Sequence, residues 1–312
     1  MSTIEEVIPP ALGGERLDRV VALLTGASRA DAAALVAAGG ATVDDVEQRS
    51  GKVRLTVGQT VRIDPALLPT DQPPAPDPSV EIRVMYADDD VIVVDKAPGL
   101  VVHPGAGHQS GTLVNGVLAR FPEVATVGQP GRPGIVHRLD VGTSGLLVVA
   151  RSQLAYDVLV AALSARDVGR TYRTVVWGHP ANPVGVIDAP IGRDHRDPMR
   201  MAVVVDGKPA RTHYRVQRTY RDPVVAAELE CRLETGRTHQ IRVHLAAIGH
   251  PVVGDTTYGG GRPGIEAPRP FLHAAALTFR HPTRDETLSF EAPLPEDLQA
   301  VLDALGTPID DE

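Results

Sequence analysis

The sequence predicts an α+β protein, in which a mixed, largely antiparallel sheet with flanking helices follows a small N-terminal α/β module. Three observations support this prediction. Strand-like segments outnumber helical ones and do not alternate regularly with them, which argues against a doubly wound fold. A proline-rich stretch at 65–79 separates the first 64 residues from the rest. The length of 312 residues fits two domains, at roughly 150 residues per domain.

The N-terminal module, residues 1–64, begins with two predicted helices. Apolar residues recur at the i, i+3, i+4, i+7 spacing of one helical face at Leu17, Val20, Val21 and Leu24. Ser28 and Asp31 then resemble a capping box, with Asp in the usual place of Glu or Gln. The helix that they open is expected to end at Gly39–Gly40.

A predicted hairpin and a linker follow these helices. Residues 53–57 and 60–64 alternate apolar and polar side chains on either side of Gly58–Gln59, which predicts two paired strands. The segment 65–79 has six prolines in fifteen positions. Proline removes backbone donors and fixes φ, so this segment is expected to be a semi-rigid linker and the domain boundary.

The larger domain is predicted to cover residues 80–306, followed by an acidic tail at 307–312. Its predicted strands are 80–85, 91–95, 145–150, 171–177 and 225–233, with a hairpin around Asp206–Gly207. Its predicted helices are 153–165, which Ser152 caps, 238–248 and 296–305.

The composition restricts the class of protein. Hydrophobic residues make up 43% and charged residues 22% of the chain, as in ordinary globular proteins. The single cysteine, Cys231, excludes a disulfide framework and a cysteine-cluster zinc site. No apolar run approaches the roughly 20 residues that span a bilayer, and the N-terminus has no signal-peptide pattern. We therefore expect a cytoplasmic protein without a membrane partner.

Two segments carry candidate chemistry. In residues 134–149, Asp140 stands two residues after Arg138 in a Gly/Thr/Ser turn that leads into an apolar strand. Taken alone, this window favours an Asp140 that only caps a turn, with Arg138 as its solvated neighbour. In residues 233–245, His239 and His244 are five apart, which does not match the i, i+4 spacing of a helical zinc site. We therefore expect no metal site.

A third segment, residues 95–104, reads DKAPGLVVHP and is consistent with a strand that ends in a Pro-Gly turn. The glycine-rich stretch after it, 105–111, has neither P-loop nor GxGxxG spacing, so nucleotide hydrolysis is not supported.

Together, these segments resemble the motif series of the RluA/RluD-type RNA pseudouridine synthases. The nine residues 137–145, HRLDVGTSG, are similar to the catalytic HRLDxxTSG signature of that family. Further matching segments are 95–104, 170–178, 235–245, 249–255 and 272–282. The resemblance covers about residues 80–300, and residues 14–64 resemble the alpha-L RNA-binding motif of ribosomal-protein type.

The resemblance implies a cofactor-free isomerase that converts uridine in RNA to pseudouridine. Asp140 would be the carboxylate that attacks the anomeric carbon or assists elimination to a glycal. Arg242 would keep this carboxylate charged and, through a bidentate contact, aim it. A phosphate contact is the alternative role for Arg242. Tyr172 would stack on the uracil, the alternative being an ordinary core aromatic.

The resemblance also implies RNA contacts. The target uridine must leave its helix to reach a pocket, and Arg138 matches the side chain that enters the vacated stack. The other predicted RNA-binding residues are His137, Arg170, Arg237, Arg16 and Arg29. Arg170 stands where the family usually has Lys, which keeps the charge and changes the contact geometry. The helix at 30–38 lacks the extra basic residues of RNA-binding copies of the motif.

The net charge of −8 is unevenly distributed. Residues 130–250 carry +6, whereas residues 1–129 and 251–312 each carry −7. The basic block contains Asp140, Tyr172 and Arg242, so we expect a local basic cleft and RNA affinity that falls steeply with salt.

The sequence thus predicts a monomeric RNA pseudouridine synthase without cofactor, metal or obligate protein partner. The expected substrate is large-subunit ribosomal RNA. One rival is a non-catalytic RNA-binding protein of the same fold, which full activity of an Asp140→Ala protein would favour. The other is a sugar-cleaving hydrolase acting on nucleosides, which release of free uracil would favour. Hydrolases of this kind commonly use two carboxylates, and the signature windows offer only Asp140.

Overall fold

The computed structural model describes residues 3–68, 73–105, 110–197 and 200–309. The chain divides into two compact units, Met1–Gln72 and Pro73–Glu312. Residues 69–72 of the predicted linker and 310–312 of the predicted acidic tail lie outside the described residues. Within the described residues no single helix is long and apolar enough to cross a membrane. The first two helices reach that length only as a pair, bent by 113°.

The N-terminal unit is a four-stranded sheet with two helices. The strands are β1 (Ile4–Val7), β2 (Ala41–Val43), β3 (Val46–Gln48) and β4 (Thr60–Ile63), and the helices are α1 (Leu17–Thr25) and α2 (Arg29–Ala37). Short 3-10 turns cover Pro10–Leu12 and Pro65–Leu67. Both helices agree with the sequence prediction, and the Ser28 hydroxyl accepts the Asp31 N–H as a cap. The apolar faces of α1 and α2 are buried together with Val61 of β4.

The hairpin predicted at 53–64 is wrong. The strand β4 pairs with β1 and β2 in the order β1-β4-β2-β3. Residues 53–57 instead hydrogen-bond to the loop before α1, where Leu55 N–H donates to the Glu15 carbonyl at 2.9 Å. The alternating pattern is satisfied because Leu55 is buried against the helices. The alternating pattern therefore predicted a buried face, but it did not identify the segment with which residues 53–57 pair.

The C-terminal unit contains most of the chain. Its strands are β5 (Arg83–Ala87), β6 (Val91–Lys96), β7 (Gly128–Gln129), β8 (Arg132–Pro133), β9 (Ser144–Ala150), β10 (Gly169–Trp177), β11 (Val184–Asp188), β12 (Ile191–Arg193), β13 (Met201–Val203), β14 (Arg211–Tyr220), β15 (Ala226–Leu233), β16 (Leu272–Arg280) and β17 (Thr287–Glu291). Its helices are α3 (Leu113–Arg120), α4 (Gln153–Ala165), α5 (Gln240–Ala247) and α6 (Glu296–Ala304), with a 3-10 segment at Pro122–Thr126.

Nine of these described strands form one sheet in the order β11-β14-β15-β10-β16-β9-β6-β5, and β17 pairs with β16. The β9–β16 pair is parallel over two residue pairs, and the other pairs of the sheet are antiparallel. The predicted α+β class with a largely antiparallel sheet is therefore confirmed. Strands β6 and β9 are apolar at successive positions because α3 covers one face and α4 the other.

The hairpin predicted around Asp206–Gly207 is also wrong. The chain turns at Gly207, but it then returns to Ile191, with which Lys208 exchanges two backbone hydrogen bonds of 2.9 Å. A Cβ at position 207 would lie 2.6 Å from the Ile191 carbonyl carbon. The glycine is required for this close approach of two backbones, and not for a hairpin turn. Strand β13 pairs with β12 instead.

The helix predicted at 238–248 begins two residues later. His239 adopts a left-handed conformation, with φ of 56°, and forms the N-cap of α5. Sequence patterns did not predict α3 or the strands β7, β8, β11, β12, β16 and β17. The other predicted helices and long strands of this unit lie within a few residues of their predicted positions.

Candidate active site

A cavity of about 570 Å³ lies between the segment before β9, helix α4, strand β10 and the segment before α5. Its lining includes six residues that the sequence analysis selected: His137, Arg138, Asp140, Arg170, Tyr172 and Arg237. Residues far apart in the chain therefore converge on one space. The volume is in the range of small-molecule sites and suits a single nucleotide.

Asp140 lies at the wall of this cavity, in the signature loop, residues 137–145. Its Oδ2 accepts a hydrogen bond from Nη1 of Arg242 at 3.2 Å, and 14% of the Asp140 side chain is exposed. Arg242 comes from α5, and its side chain is only 8% exposed. A guanidinium so close stabilises the negative charge of the carboxylate and fixes its orientation.

The bidentate contact expected between Arg242 and Asp140 is not present. Arg242 forms its two-pronged contact with Asp255, through Nε at 2.6 Å and Nη2 at 2.9 Å. Asp255 is fully buried and also accepts the backbone N–H groups of Thr257 and Tyr258. A third hydrogen bond of the Arg242 guanidinium goes to Asp140. Asp255 therefore anchors the guanidinium that in turn orients Asp140.

The two carboxylates outweigh the effect of burial on Arg242. Burial lowers the pKa of this guanidinium, but Asp255 and Asp140 raise it above its ordinary value. Asp255 lies in segment 249–255, one of the segments that resemble the family, but the sequence assigned it no role. The available signal was an acidic residue two positions after the apolar pair Val252 and Val253.

Two cations, the buried Lys96 and the largely buried Arg269, support the signature loop. Nζ of Lys96 donates to the carbonyls of Ala97 and Leu100 at 2.9 Å and to that of Val141 at 3.4 Å. Arg269 donates to the Gly142 carbonyl at 2.9 Å and to the Ser144 hydroxyl at 3.2 Å. We call Lys96 and Arg269 the supporting pair.

The surroundings of the two members of the supporting pair differ. Arg269 is fixed by a two-pronged contact with Asp297, at 2.6 and 2.9 Å. Burial, and next the nearby Arg269, lower the pKa of Lys96 to about 8, while Asp140 acts in the opposite direction.

Gly145 ends the signature loop at the parallel contact of β9 with β16. Its φ is 111°, and a Cβ there would lie 2.3 Å from the carbonyl oxygen of Ala274. A glycine is therefore required for both backbone conformation and space.

Tyr172 lies on β10 and is 5% exposed. Burial raises the pKa of its phenol to about 12, with Arg170 opposing and Asp140 adding to this shift. The hydroxyl therefore keeps its proton at neutral pH, and the ring offers an apolar surface to the cavity.

Arg170 and His137 form a desolvated part of the cavity wall. Arg170 is 7% exposed, and its Nη2 donates to the Glu234 carbonyl at 3.3 Å. Nε2 of His137 accepts the Val148 N–H at 3.1 Å. Burial and the nearby Arg170 lower the pKa of His137 to about 3. The His137 ring is therefore neutral at physiological pH.

Arg138 and Arg237 are exposed residues of the cavity lining. Arg237 Nε donates to the Pro209 carbonyl at 3.0 Å. These two cations are accessible to a polyanion, in contrast with Arg170.

His239 also lines the cavity, whereas the sequence analysis considered it only as half of a rejected zinc-ligand pair. Its Nδ1 lies 2.9 Å from the hydroxyl of Tyr258, which also accepts the N–H of Met201. The Arg242 guanidinium stacks over the Tyr258 ring at 5.1 Å. The pKa of His239 is lowered, chiefly by burial. The left-handed φ of His239 is the kind of local strain that concentrates at functional sites.

Comparison with known proteins identifies the family. A sequence model described as RNA pseudouridylate synthase matches residues 90–247. A protein of Chloroflexus aurantiacus described as an uncharacterized RNA pseudouridine synthase is 47% identical over 301 residues, 95% of this chain and 92% of that protein. The chain belongs to the RNA pseudouridylate synthase family. The synthase is therefore an isomerase, and Asp140, Tyr172 and Arg242 all lie within the matched residues.

Two further proteins illustrate the relationship of the synthase to its family. The ribosomal large subunit pseudouridine synthase D of Xanthomonas campestris is 44% identical over 317 residues, 96% of this chain and 92% of that protein. The solved structure of human RNA pseudouridylate synthase domain containing 1 superposes with a TM-score of 0.55 at 28% identity, covering 76% of this chain and 99% of that one.

The predicted RNA contacts of the N-terminal unit of the synthase share one carboxylate. Asp18, nearly buried, accepts hydrogen bonds from both Arg16 and Arg29. The two guanidiniums together with Asp18 carry a net charge of +1, so their charge toward RNA is reduced. No group of three or more potential metal ligands occurs in the part of the synthase that the structure describes.

Proposed function

We propose that this synthase forms pseudouridine in large-subunit ribosomal RNA, with Asp140 as the group that acts on the sugar of a flipped-out uridine. The observation that carries this proposal is the Asp140 carboxylate, oriented by Arg242 at the wall of a nucleotide-sized cavity that Tyr172 also lines. The RNA follows from the relatives of the chain that are named ribosomal large subunit pseudouridine synthase D.

The reaction is an isomerisation, so atoms balance without a co-reactant. The bond between N1 of uracil and C1′ of ribose breaks, the base rotates, and C5 bonds to C1′. The C5 hydrogen then leaves as a proton, and N1 acquires one. Asp140 either attacks C1′, forming an ester bond that breaks when C5 bonds to C1′, or takes the C2′ proton as the glycal forms and returns it when C5 bonds. Arg242 stabilises the free carboxylate with which both routes begin and end.

Tyr172 supplies a stacking surface for the base in this proposal. With its pKa near 12, the phenol is a poor general base at neutral pH. The ring of a buried tyrosine next to Asp140 can hold the uracil plane while the glycosidic bond is exchanged.

The exposed cations accept the RNA. Arg138, two residues before Asp140, occupies the stack that the uridine leaves, and Arg237 contacts the backbone phosphates. In the N-terminal unit, the alpha-L-like residues 14–64 add RNA contacts through Arg16 and Arg29. We propose that the protein acts as a monomer in the cytoplasm, where it meets ribosomal RNA.

The decisive experiment maps pseudouridines in ribosomal RNA from cells with and without this protein. We expect at least one large-subunit site to disappear and to return with the wild-type protein or with an Asp157→Asn variant, in which an exposed carboxylate of α4 is changed. An Asp140→Asn variant should restore no site, because the loss of the reacting group lowers the rate by roughly 10³-fold or more. A map without a missing site refutes the proposed substrate, and restoration by Asp140→Asn refutes the proposed role.

A further inference from the structure

Unpaired polar atoms gather at the cavity. In the described part of the chain, three of the five buried side-chain nitrogen or oxygen atoms without a hydrogen-bond partner belong to cavity residues. These are Nδ1 of His103, Nδ1 of His137 and Nε of Arg170. An unpaired buried donor costs about 1–3 kcal/mol. Their concentration at one site therefore indicates a ligand that supplies the missing partners.

The hydrogen bond of His137 determines which ring nitrogen carries the proton. Nε2 accepts the Val148 N–H, so it cannot carry a hydrogen itself. The ring is neutral, and its hydrogen must therefore be on Nδ1. The unpaired Nδ1 is a hydrogen-bond donor that lacks an acceptor.

Arg170 is a second donor that lacks an acceptor. Its guanidinium is confined beneath the turn at 234–236, since a Cβ on Gly236 would lie 2.8 Å from Nη1. Nη2 is used by the Glu234 carbonyl, whereas Nε is unpaired among the described residues. Arg170 and Tyr172 are two residues apart on β10, so their side chains lie on the same face of the sheet.

We propose that His137 and Arg170 bind the oxygen at carbon 4 of the flipped-out uracil and thereby select uridine over cytidine. The inference rests on the proposed function, which places the target base between Asp140 and Tyr172. That oxygen has two lone pairs for two N–H donors. Cytosine carries an amino group at the same carbon, so its N–H donors would face the two protein donors and neither protein donor would gain an acceptor.

A base carbonyl fits these donors better than a phosphate. The RNA backbone passes along exposed surface, where Arg138 and Arg237 are available. Arg170 is more than nine-tenths buried, and the neutral His137 contributes no charge for a phosphate. The flipped base, by contrast, is the part of the substrate that enters the cavity.

The first test uses the wild-type protein of 312 residues and RNA fragments that contain a mapped target uridine. The target is replaced by 4-thiouridine, whose sulfur is a weak acceptor, or by 2-thiouridine as the matched control. We expect kcat/KM to fall roughly 10- to 100-fold for 4-thiouridine, and less than about threefold for 2-thiouridine. Equal rates for uridine and 4-thiouridine would overturn the proposal.

The second test separates recognition from the structural contact of His137 with Val148. In His137→Gln the amide oxygen can replace Nε2 as acceptor, and in His137→Asn the amide nitrogen can replace Nδ1 as donor. We expect His137→Gln to reduce the preference for uridine over 4-thiouridine about tenfold, and His137→Asn to retain it. His195→Gln, which changes an exposed histidine, is the control.

The outcomes distinguish the alternatives. Full preference in His137→Gln would show that the ring serves only as an acceptor for Val148, and the proposal would be wrong. A uniform loss of affinity for uridine-, 4-thiouridine- and cytidine-containing RNA, with a weaker salt dependence, would indicate phosphate binding and equally overturn it. The absence of any mapped uridine in ribosomal RNA refutes the proposed substrate, and the wild-type comparison then uses whichever RNA the protein modifies.

Discussion

The signature loop, residues 137–145, is surrounded by two sets of polar groups that differ in their hydrogen bonding. The supporting pair, Lys96 and Arg269, donates to backbone carbonyls and to the Asp297 carboxylate. On the cavity wall, His137 and Arg170 each retain an unpaired donor. Paired groups fix the position of a loop, whereas unpaired ones are stable only when a ligand completes them. We therefore expect the supporting pair to affect the rate of the reaction, and His137 and Arg170 to affect which base is accepted.

The largest expected effect on the supporting side comes from Asp255. In Asp255→Asn, one prong of the Arg242 contact is lost, and the guanidinium is free to move away from Asp140. Small displacements of reacting groups cost about 10²-fold in rate. We therefore expect kcat for pseudouridine formation to fall about 10²-fold with KM little changed.

Arg242→Lys provides the complementary variant, because lysine keeps the charge and cannot contact both carboxylates with a planar fork. It should lower kcat to a similar extent. A rise in KM without loss of kcat in either variant would contradict the role of Asp255 as an anchor. Thermal unfolding measured on the same samples separates this effect from loss of the fold, since a broken buried ion pair is itself destabilising.

The contrast between the two sets also marks what the sequence could predict. Local signals predicted their helices and strands correctly. Examples are the helix caps Ser28 and Ser152 and the apolar runs at 91–95 and 145–150. The failed hairpins at 53–64 and around Gly207 depended on which distant segment each strand pairs with, which turn residues do not specify.

The same limit applies to the site. The signature resemblance selected Asp140, Tyr172 and Arg242, and these residues converge on one region. The Asp255 fork and the contacts of Arg269 with the loop join segments 13 and 127 residues apart. Arg269 reaches the loop only through the packing of the sheet, which a local sequence pattern does not predict.

A smaller effect is expected for Arg269→Lys. Lysine cannot bind both Asp297 oxygens and also reach the loop, so the Gly142 carbonyl and the Ser144 hydroxyl lose their donor. We expect kcat to fall about tenfold and RNA affinity to stay within about threefold of wild type. Arg280→Lys, at an exposed position, should change neither. A change confined to RNA affinity would place Arg269 in the RNA-binding surface instead.

The exposed cations should show the opposite behaviour. Arg237→Ala removes one phosphate contact, so the Kd for RNA should rise a few-fold and the slope of log Kd against log salt should fall by about 0.7–0.9. The rate at saturating RNA should be unchanged. Arg280→Ala is the matched control, because Arg280 is exposed and pairs with Asp285. An unchanged salt slope in Arg237→Ala would remove Arg237 from the RNA path.

The smallest expected effect concerns acid stability, and it follows from the cavity histidines. Burial lowers the pKa of His137 to about 3 and that of His103 to about 4, below the value near 6.5 of an unfolded chain. Between these values the unfolded protein binds more protons than the folded one. The free energy of unfolding therefore decreases as the pH falls below about 6.5.

Replacing one of these histidines should weaken this dependence. His137→Gln keeps an acceptor for Val148 and removes one titrating ring, so its free energy of unfolding should fall less than that of wild type between pH 7 and pH 5, by roughly 1.5–2 kcal/mol. Urea denaturation at the two pH values measures the difference, with His195→Gln as the control for an exposed ring. A parallel decline in both proteins would mean that His137 takes up its proton over the same pH range in the folded and the unfolded chain. The ring would then be charged at pH 5, its Nε2 could not accept the Val148 N–H there, and the buried neutral ring from which the Nδ1 donor is assigned would be wrong.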